Sequence, residues 1–217
     1  MKPDWIAPKR TALLVIDCQV DFGAPDGEMA KRGADMTAPQ AALKKAEELV
    51  EAARAAGVTV MFVRLVSNPG AESRVIHEAR ARQGDQGPDL CVEGSHGADF
   101  IGPQPLSGET VISKHRYSAF ARTGLADRLH SMGLDTVVLA GLTTECCVAS
   151  SAWDGFEWDF HVFIAADACA AYEKDLHDQA LKALALSGAT VVPTAEFTAF
   201  WKKISEFNMM VGWVVRR

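Results

Sequence analysis

The hydrophobic pattern switches between two periods along the chain. Continuous apolar runs occur at "TALLVIDCQV" (11–20), "VTVMFVRLV" (58–66), "TVVLAG" (136–141) and "HVFIAADA" (161–168). Runs this short, rich in β-branched residues, predict strands buried on both faces. Shorter strands are predicted at "ETVISK" (109–114) and "TVVP" (190–193). Between them, apolar residues recur at helical spacing. Leu43, Ala46, Leu49, Val50 and Ala53 mark a helix over 38–56 that Gly57 stops, with the charges of "KKAEELVEAAR" on its solvated side. Helices are also predicted from Leu125 to Met132, from Glu145 to Trp158, over 174–187 and, briefly, near 195–205. Residues 67–108, rich in Gly, Pro, Asp and Ser, predict irregular structure.

Strands alternating with helices of ten or more residues make βαβ units, whose right-handed crossovers give a parallel sheet. The predicted fold is therefore α/β: a three-layer α-β-α sandwich around a mostly parallel, Rossmann-like central sheet. No repeat or linker divides it, so one domain spans 1–217. Its last stretch, "FNMMVGWVVRR" near 206–217, is apolar for a tail and predicts docking on its own domain or on a neighbouring subunit.

Composition narrows the partners. A chain of 217 residues, 48% of them hydrophobic, can bury a full core. Its formal net charge of −6, with no Lys/Arg run, argues against nucleic acid or an anionic membrane as partner. No apolar stretch approaches the length of about 20 residues that a transmembrane helix needs. "MKPDWIAPKR" lacks the apolar core of a leader, and five cysteines is an odd count, so a reducing cytoplasm is the expected setting.

In parallel α/β sheets, ligands bind beyond the carboxyl ends of the strands. Asp17, Lys114 and the turn Gly141–Cys147 all fall at or near such ends. Asp17 stands in an apolar run, where a carboxylate is costly unless it has a partner or a task. Glycine-rich dinucleotide and phosphate fingerprints are absent. The adjacent cysteines of "GLTTECCVAS" admit several readings. Metal binding is disfavoured, because neighbours cannot easily share one tetrahedral ion and no Cys-x-x-Cys spacing is present. A disulfide between them would be strained. Packing as small buried hydrophobes competes with nucleophilic catalysis. A cysteine in the first turn of a helix feels the positive end of the dipole, and free N–H groups of that turn can hold an oxyanion.

The remaining candidates are less specific. Gln19 and Phe22 follow Asp17 and face either the pocket or the core. Arg116, Tyr117 and Phe120 follow Lys114, and Arg116 suits either a substrate carboxylate or a surface ion pair. Trp153 reads as core, and Cys18, Cys91 and Cys169 as structural. His77, His96, His115, His130, His161 and His177 are scattered and form no ligand cluster.

The segments "LLVIDCQVDF", "SKHRYSAF" and "GLTTECCVASSAWD", in that order, resemble the isochorismatase-like cysteine hydrolases. The resemblance covers about residues 10 to 195. It aligns Gly141 and Thr144 with the family's turn, and makes Cys147, followed by Val148, the nucleophile and Cys146 its neighbour. It implies a triad of Cys147, Asp17 and Lys114, with the N–H groups of Thr143 and Cys147 as oxyanion hole. It also implies a cis peptide at Leu142–Thr143 and a homo-oligomer, a dimer or tetramer. Nicotinamidases of this family carry an Asp-x-His metal segment after the second strand. Here that region reads "FVRLVSNPG", so neither a metal nor another cofactor is expected. The implied activity is hydrolysis of a non-peptide C–N bond of a small amide, carbamoyl or ureido substrate through a thioester. The alternatives are vinyl ether hydrolysis, whose family members usually lack the cysteine, and a non-catalytic binding or scaffold protein on the same fold.

Overall fold

The computed structural model describes residues 2–214 except 69, 72 and 86, without the side chains of residue 3 and of residues 207–214. β1 (Thr11–Ile16) is followed by two single-turn helices, α1 (Val20–Gly23) and α2 (Glu28–Lys31), and by the long α3 (Thr37–Ala56). Then come β2 (Thr59–Leu65), α4 (Arg74–Arg82), β3 (Thr110–Lys114), α5 (Leu125–Ser131) and β4 (Thr136–Leu142). The chain ends with α6 (Ala149–Glu157), β5 (His161–Ala170), α7 (Lys174–Leu186), β6 (Thr190–Val192) and α8 (Thr194–Val214). The strands form one sheet in the order β3-β2-β1-β4-β5-β6, and every pairing is parallel.

β1 lies in the middle and is buried along its whole length. Its side chains alternate between two cores, as the two-residue period of a strand requires. Leu13 and Val15 pack with Leu49 and Ala53 of α3 and with Phe197 and Trp201 of α8. Ala12, Leu14 and Ile16 pack with Leu125 and Leu129 of α5 and with Ala152 of α6. Burying each leucine-sized side chain contributes about 1.5–3 kcal/mol, so the hydrophobic runs choose the centre of the sheet. Fully buried Trp201 donates its indole N–H to the Ile6 carbonyl at 3.1 Å, tying α8 to the N-terminal segment.

Several features differ from the sequence expectation. β1 stops at Ile16 rather than reaching residue 20, because Asp17 turns to φ 49° and Val20 opens α1. α4 lies in the stretch expected to be irregular. None of its side chains is buried, so it writes no apolar period into the sequence. It is held instead by a Ser73 side-chain cap on the Ile76 N–H at 3.4 Å, and by Arg80 pairing with Asp85 at 2.8 Å and Asp89 at 2.5 Å. α8 runs to Val214 rather than ending near 205, since no Gly or Pro interrupts it before Gly212. The docking expected of the 206–217 tail falls, from residue 207 onward, on side chains outside the described residues. Trp153 is on the surface and not in the core, 41% exposed, because it lies about 100° round the helix from buried Ala152. No helix of the described residues is long and apolar enough to cross a membrane.

The order of strands reverses at β1. The chain runs outward through β2 and β3, then returns to place β4 on the other side of β1. The carboxyl ends of β1 and β4 therefore flank the crevice where doubly wound sheets bind ligands.

Candidate active site

The crevice is closed tightly by a glycine. Ile16 of β1 pairs with Gly141 of β4. Gly141 has φ 124°, and a Cβ there would sit 1.9 Å from the Ile16 carbonyl oxygen. Only glycine lets the two strand ends approach this closely. The pairing of β4 with β5 shifts register between Leu139 and Gly141, which marks the same irregularity from the other side. Beyond it the Leu142–Thr143 peptide is cis, as the resemblance implies. One π-helical turn, Thr144–Val148, then leads into α6, where a regular helix was expected from Glu145.

Three side chains from three strand ends meet here. Asp17 follows β1, Lys114 is the last residue of β3, and Cys147 lies in the π-helical turn after β4. Asp17 and Lys114 are 0% exposed and Cys147 is 5% exposed. Lys114 Nζ stands 2.7 Å from Asp17 Oδ2. It also donates to Cys147 Sγ at 3.3 Å and to the Arg116 carbonyl at 3.0 Å. An ammonium has three donors, and two of them are directed at Cys147 and the Arg116 carbonyl. The contact with Asp17 is a close ion pair without hydrogen-bond alignment, and neither carboxylate oxygen accepts a well-directed hydrogen bond. Asp17 thus keeps acceptor capacity facing the crevice.

Electrostatics follow from this packing. Burial raises the Asp17 pKa, and the Lys114 charge opposes the rise. Burial works against the Lys114 ammonium, but the charges of Asp17 and then Cys147 outweigh it, so its pKa is raised. The Cys147 thiol is pushed well above its ordinary value by contact with the Cys146 thiol, by burial and by Asp17, with Lys114 opposing. Burial and the neighbouring carboxylate thus oppose the pull of the helix dipole on the thiolate. A nearly sealed site next to a carboxylate disfavours the thiolate, and a proton acceptor within reach offsets this when the sulfur reacts.

The other sequence candidates are distributed as follows. Gln19 is fully buried. Its amide nitrogen donates to the carbonyls of Leu65 (2.9 Å) and Ala98 (3.0 Å), and its amide oxygen accepts the Leu65 N–H (2.8 Å). It clamps the ends of β1 and β2 together. Phe22 sits in the core beside α3, and its carbonyl accepts the Tyr172 hydroxyl at 3.0 Å. Arg116 donates to the carbonyls of His115 (2.6 Å) and Ala71 (3.2 Å). Tyr117 is 49% exposed, and its phenol pKa is raised by burial and then by the charges of Cys146 and Cys147, so it adjoins the cysteine pair. Two cavities border this segment. One of about 300 Å³ is lined by Gly70, Ala71, Lys114, Arg116 and Arg122, and one of about 90 Å³ by Leu65, His77, Arg80, Arg116 and Tyr117. A cavity of about 340 Å³ between Trp5, Arg10, Phe160 and His161 lies at the opposite end of the strands, away from these groups. Cys18, Cys91 and Cys169 are buried free thiols. Among the described residues, no three His, Cys, Asp or Glu side chains converge as metal ligands would.

Several contributors escaped the sequence reading. Fully buried Ser151, one helical turn after Cys147, donates to the Cys147 carbonyl at 2.7 Å and accepts the Ala119 N–H at 2.8 Å. It fastens the nucleophile turn to the loop after Lys114. Asp21 accepts the Cys91 N–H at 2.7 Å and the Glu28 N–H at 3.1 Å, holding the loop after β2 against α1. Glu145 accepts the Thr143 hydroxyl at 2.8 Å, and Thr144 meets His177 Nδ1 at 2.8 Å. A polar residue at helical spacing from the nucleophile was the one available signal for Ser151.

Comparison with known proteins agrees with this architecture. The isochorismatase domain family matches residues 11–196. The ureidoacrylate amidohydrolase RutB of Azorhizobium caulinodans is 32% identical over 181 residues, 77% of this chain and 79% of that protein. A crystal structure of an isochorismatase family protein from Desulfovibrio vulgaris superposes with a TM-score of 0.74 at 30% identity, covering 86% of this chain and 95% of that one. A pyrazinamidase of Pyrococcus horikoshii, solved in complex with zinc, gives 0.67 at 26% identity over 85% and 99%. The chain belongs to the isochorismatase family.

Proposed function

We propose that this hydrolase cleaves a ureido or carbamoyl C–N bond of a small molecule through a thioester on Cys147. The observation that carries the reading is the shared cation: one buried ammonium touches both the Asp17 carboxylate and the Cys147 sulfur. In the first half-reaction Asp17 takes the thiol proton as Sγ attacks the carbonyl carbon. The N–H groups of Thr143 and Cys147 hold the oxyanion. The tetrahedral adduct collapses, the C–N bond breaks, and Asp17 returns the proton to the departing amine. A water that gives its proton to Asp17 then attacks the thioester, and the sulfur leaves with that proton. Burial raises the Asp17 pKa, which suits a group that must both take and return a proton. Lys114 keeps the carboxylate and the forming thiolate from repelling one another.

Arg116 and Tyr117 line the adjoining cavity and are the proposed substrate contacts. Gln19 is left out of that set because its amide is taken up by backbone partners. The ureidoacrylate amidohydrolase relative favours a ureido substrate over a simple carboxamide. Assembly into a homo-oligomer is supported by the aromatic side chains Trp153, Phe156 and Trp158, all exposed on or next to α6. The test is ammonia release from ureides, carbamoyl amino acids, maleamate and nicotinamide, with intact-mass detection of a thiol-directed inhibitor on Cys147. Turnover of a ureide and labelling at Cys147 are expected. Absence of ammonia from every member of the panel, with Cys147 inert, would overturn the reading.

A further inference from the structure

Arg122 holds a backbone conformation that arginine rarely takes. Its φ is 61°, in the left-handed region where Gly or Asn usually stands. Its neighbours pin the turn. The Thr123 hydroxyl donates to the Ala119 carbonyl at 2.6 Å and accepts the Leu125 N–H at 3.3 Å. Arg122 lines the cavity of about 300 Å³ together with Lys114 and Arg116, and none of the described residues around that cavity is acidic. The Lys114 charge is matched by Asp17 at 2.7 Å. Arg116 and Arg122 have no carboxylate partner among the described residues. Arg116 directs Nη1 at the carbonyls of Ala71 and His115, so its Nε and Nη2 donors are left without partners among the described residues. The smaller cavity that Arg116 also lines has one carboxylate, Asp89, which Arg80 pairs at 2.5 Å. Two guanidinium charges therefore border one cavity without a counter-charge. A guanidinium matches a carboxylate with two parallel N–H···O bonds.

We propose that this cavity is an anion subsite, in which Arg122 and the uncommitted donors of Arg116 hold a carboxylate of the substrate. The inference rests on the hydrolase reading above. Lys114 links the cavity to the chemistry: it lines the cavity, and its ammonium touches Cys147 Sγ at 3.3 Å and the Arg116 carbonyl at 3.0 Å. A ureide with a carboxylate a few bonds from its carbonyl carbon suits this arrangement, with the anion on the arginines and the carbonyl at the sulfur. Arg116 is half-buried and forms the inner part of the subsite, while Arg122 is exposed and forms its rim. Arg122 is thus a specificity residue that favours an anionic ureide over a neutral one, a task that accounts for an arginine at a strained position. Its exposure makes the preference sensitive to salt.

The probes are N-carbamoylglycine and N-carbamoylglycinamide, which differ only by a carboxylate against a neutral carboxamide. Binding is measured by calorimetry on the inert Cys147→Ala protein, and again with Arg122→Gln, Arg122→Gly or Arg122→Lys added. Glycine adopts a φ of 61° freely, so Arg122→Gly keeps the turn, and thermal unfolding confirms the fold of each variant. The expected result is that the parent prefers the anion at least tenfold and that added salt narrows this preference. Gln and Gly should each lose about fivefold or more of the ratio, and Lys, which keeps the charge, should restore part of it. An unchanged ratio in Gln and Gly, no preference in the parent, or binding of neither probe by the parent overturns the inference. An Arg122-dependent preference in a protein whose wild type hydrolyses neither probe keeps the subsite and rejects the hydrolytic reading. Hydrolysis of both probes with a ratio that Arg122 does not affect does the reverse, so the two failures are distinct.

Discussion

Replacing Lys114 by Met removes the cation that touches both Asp17 and Cys147 while keeping the length of the side chain. Asp17 then faces a choice between two costs. If it stays ionised, a carboxylate that is 0% exposed loses its ion pair, a change that destabilises by about 3–5 kcal/mol. If it takes up a proton, it can no longer accept one from the thiol. Burial already raises its pKa, and losing Lys114 raises it further. The sign of the linkage follows. The folded variant binds more protons at Asp17 than the unfolded chain does. Stability is therefore fully present in acid and falls as pH rises toward the raised folded pKa. One group contributes at most about 1.4 kcal/mol per pH unit, so between pH 5 and pH 8 the loss is bounded near 4 kcal/mol. That bound matches the cost of the broken pair. The assay is urea unfolding of wild type, Lys114→Met and Lys114→Met/Asp17→Asn across that range. The single variant should lose stability with pH relative to wild type, and the double variant should lose this extra slope. Acylation of the single variant near neutral pH, followed by rapid-mix mass spectrometry, should fall by about 10²- to 10⁴-fold, the usual worth of a positioned base. A Lys114→Met protein as stable as wild type at pH 8, or acylated at the normal rate, would refute the reasoning.

Cys147→Ala should abolish turnover while Cys146→Ala keeps most of it; equal losses in steady-state assays would mean that the wrong sulfur was chosen. Ser151→Ala leaves the buried Ala119 N–H without its acceptor, so unfolding should show a loss of about 1–3 kcal/mol and kcat should fall more than KM changes. Exhaustive chelation should leave ammonia release unchanged, and a loss restored by zinc would count against the reading. Light scattering at micromolar concentration should give a dimer or tetramer, and a monomer mass would contradict the proposed assembly.

Sequence and structure agree most closely where burial is two-sided. β1 and β4 are buried along their whole lengths, and such strands appear in sequence as unbroken apolar runs. Asp17 follows such a run, Lys114 ends a short and partly exposed strand, and Cys147 lies in the turn after β4, and the structure brings all three reactive residues together. Legibility fails where partners are distant. Gln19 reads like a pocket group, yet its partners lie 46 and 79 residues away in sequence. α4 is invisible because none of its side chains is buried. Cys147 reads as a dipole-favoured thiolate from local pattern, and the burial and the Asp17 charge that oppose this come from the fold. Glu145 carries no periodic signal, and Ser151 only its helical spacing from Cys147. Their roles depend on Thr143, Cys147 and Ala119 being folded around them.

The central strand is bordered by one early neighbour and one late one. β1 pairs with β2, which follows within about fifty residues, and with β4, which ends only at Leu142. During synthesis, then, β1 emerges with both faces apolar and one edge unpaired until most of the chain has left the ribosome. An open apolar edge of this kind is a template for pairing with other chains. The nascent protein therefore depends on being shielded or kept dilute over that interval. The residues that complete the crevice arrive with the strand that closes the edge, so protection of the Cys147 thiol marks molecules that have left the aggregation-prone stage behind.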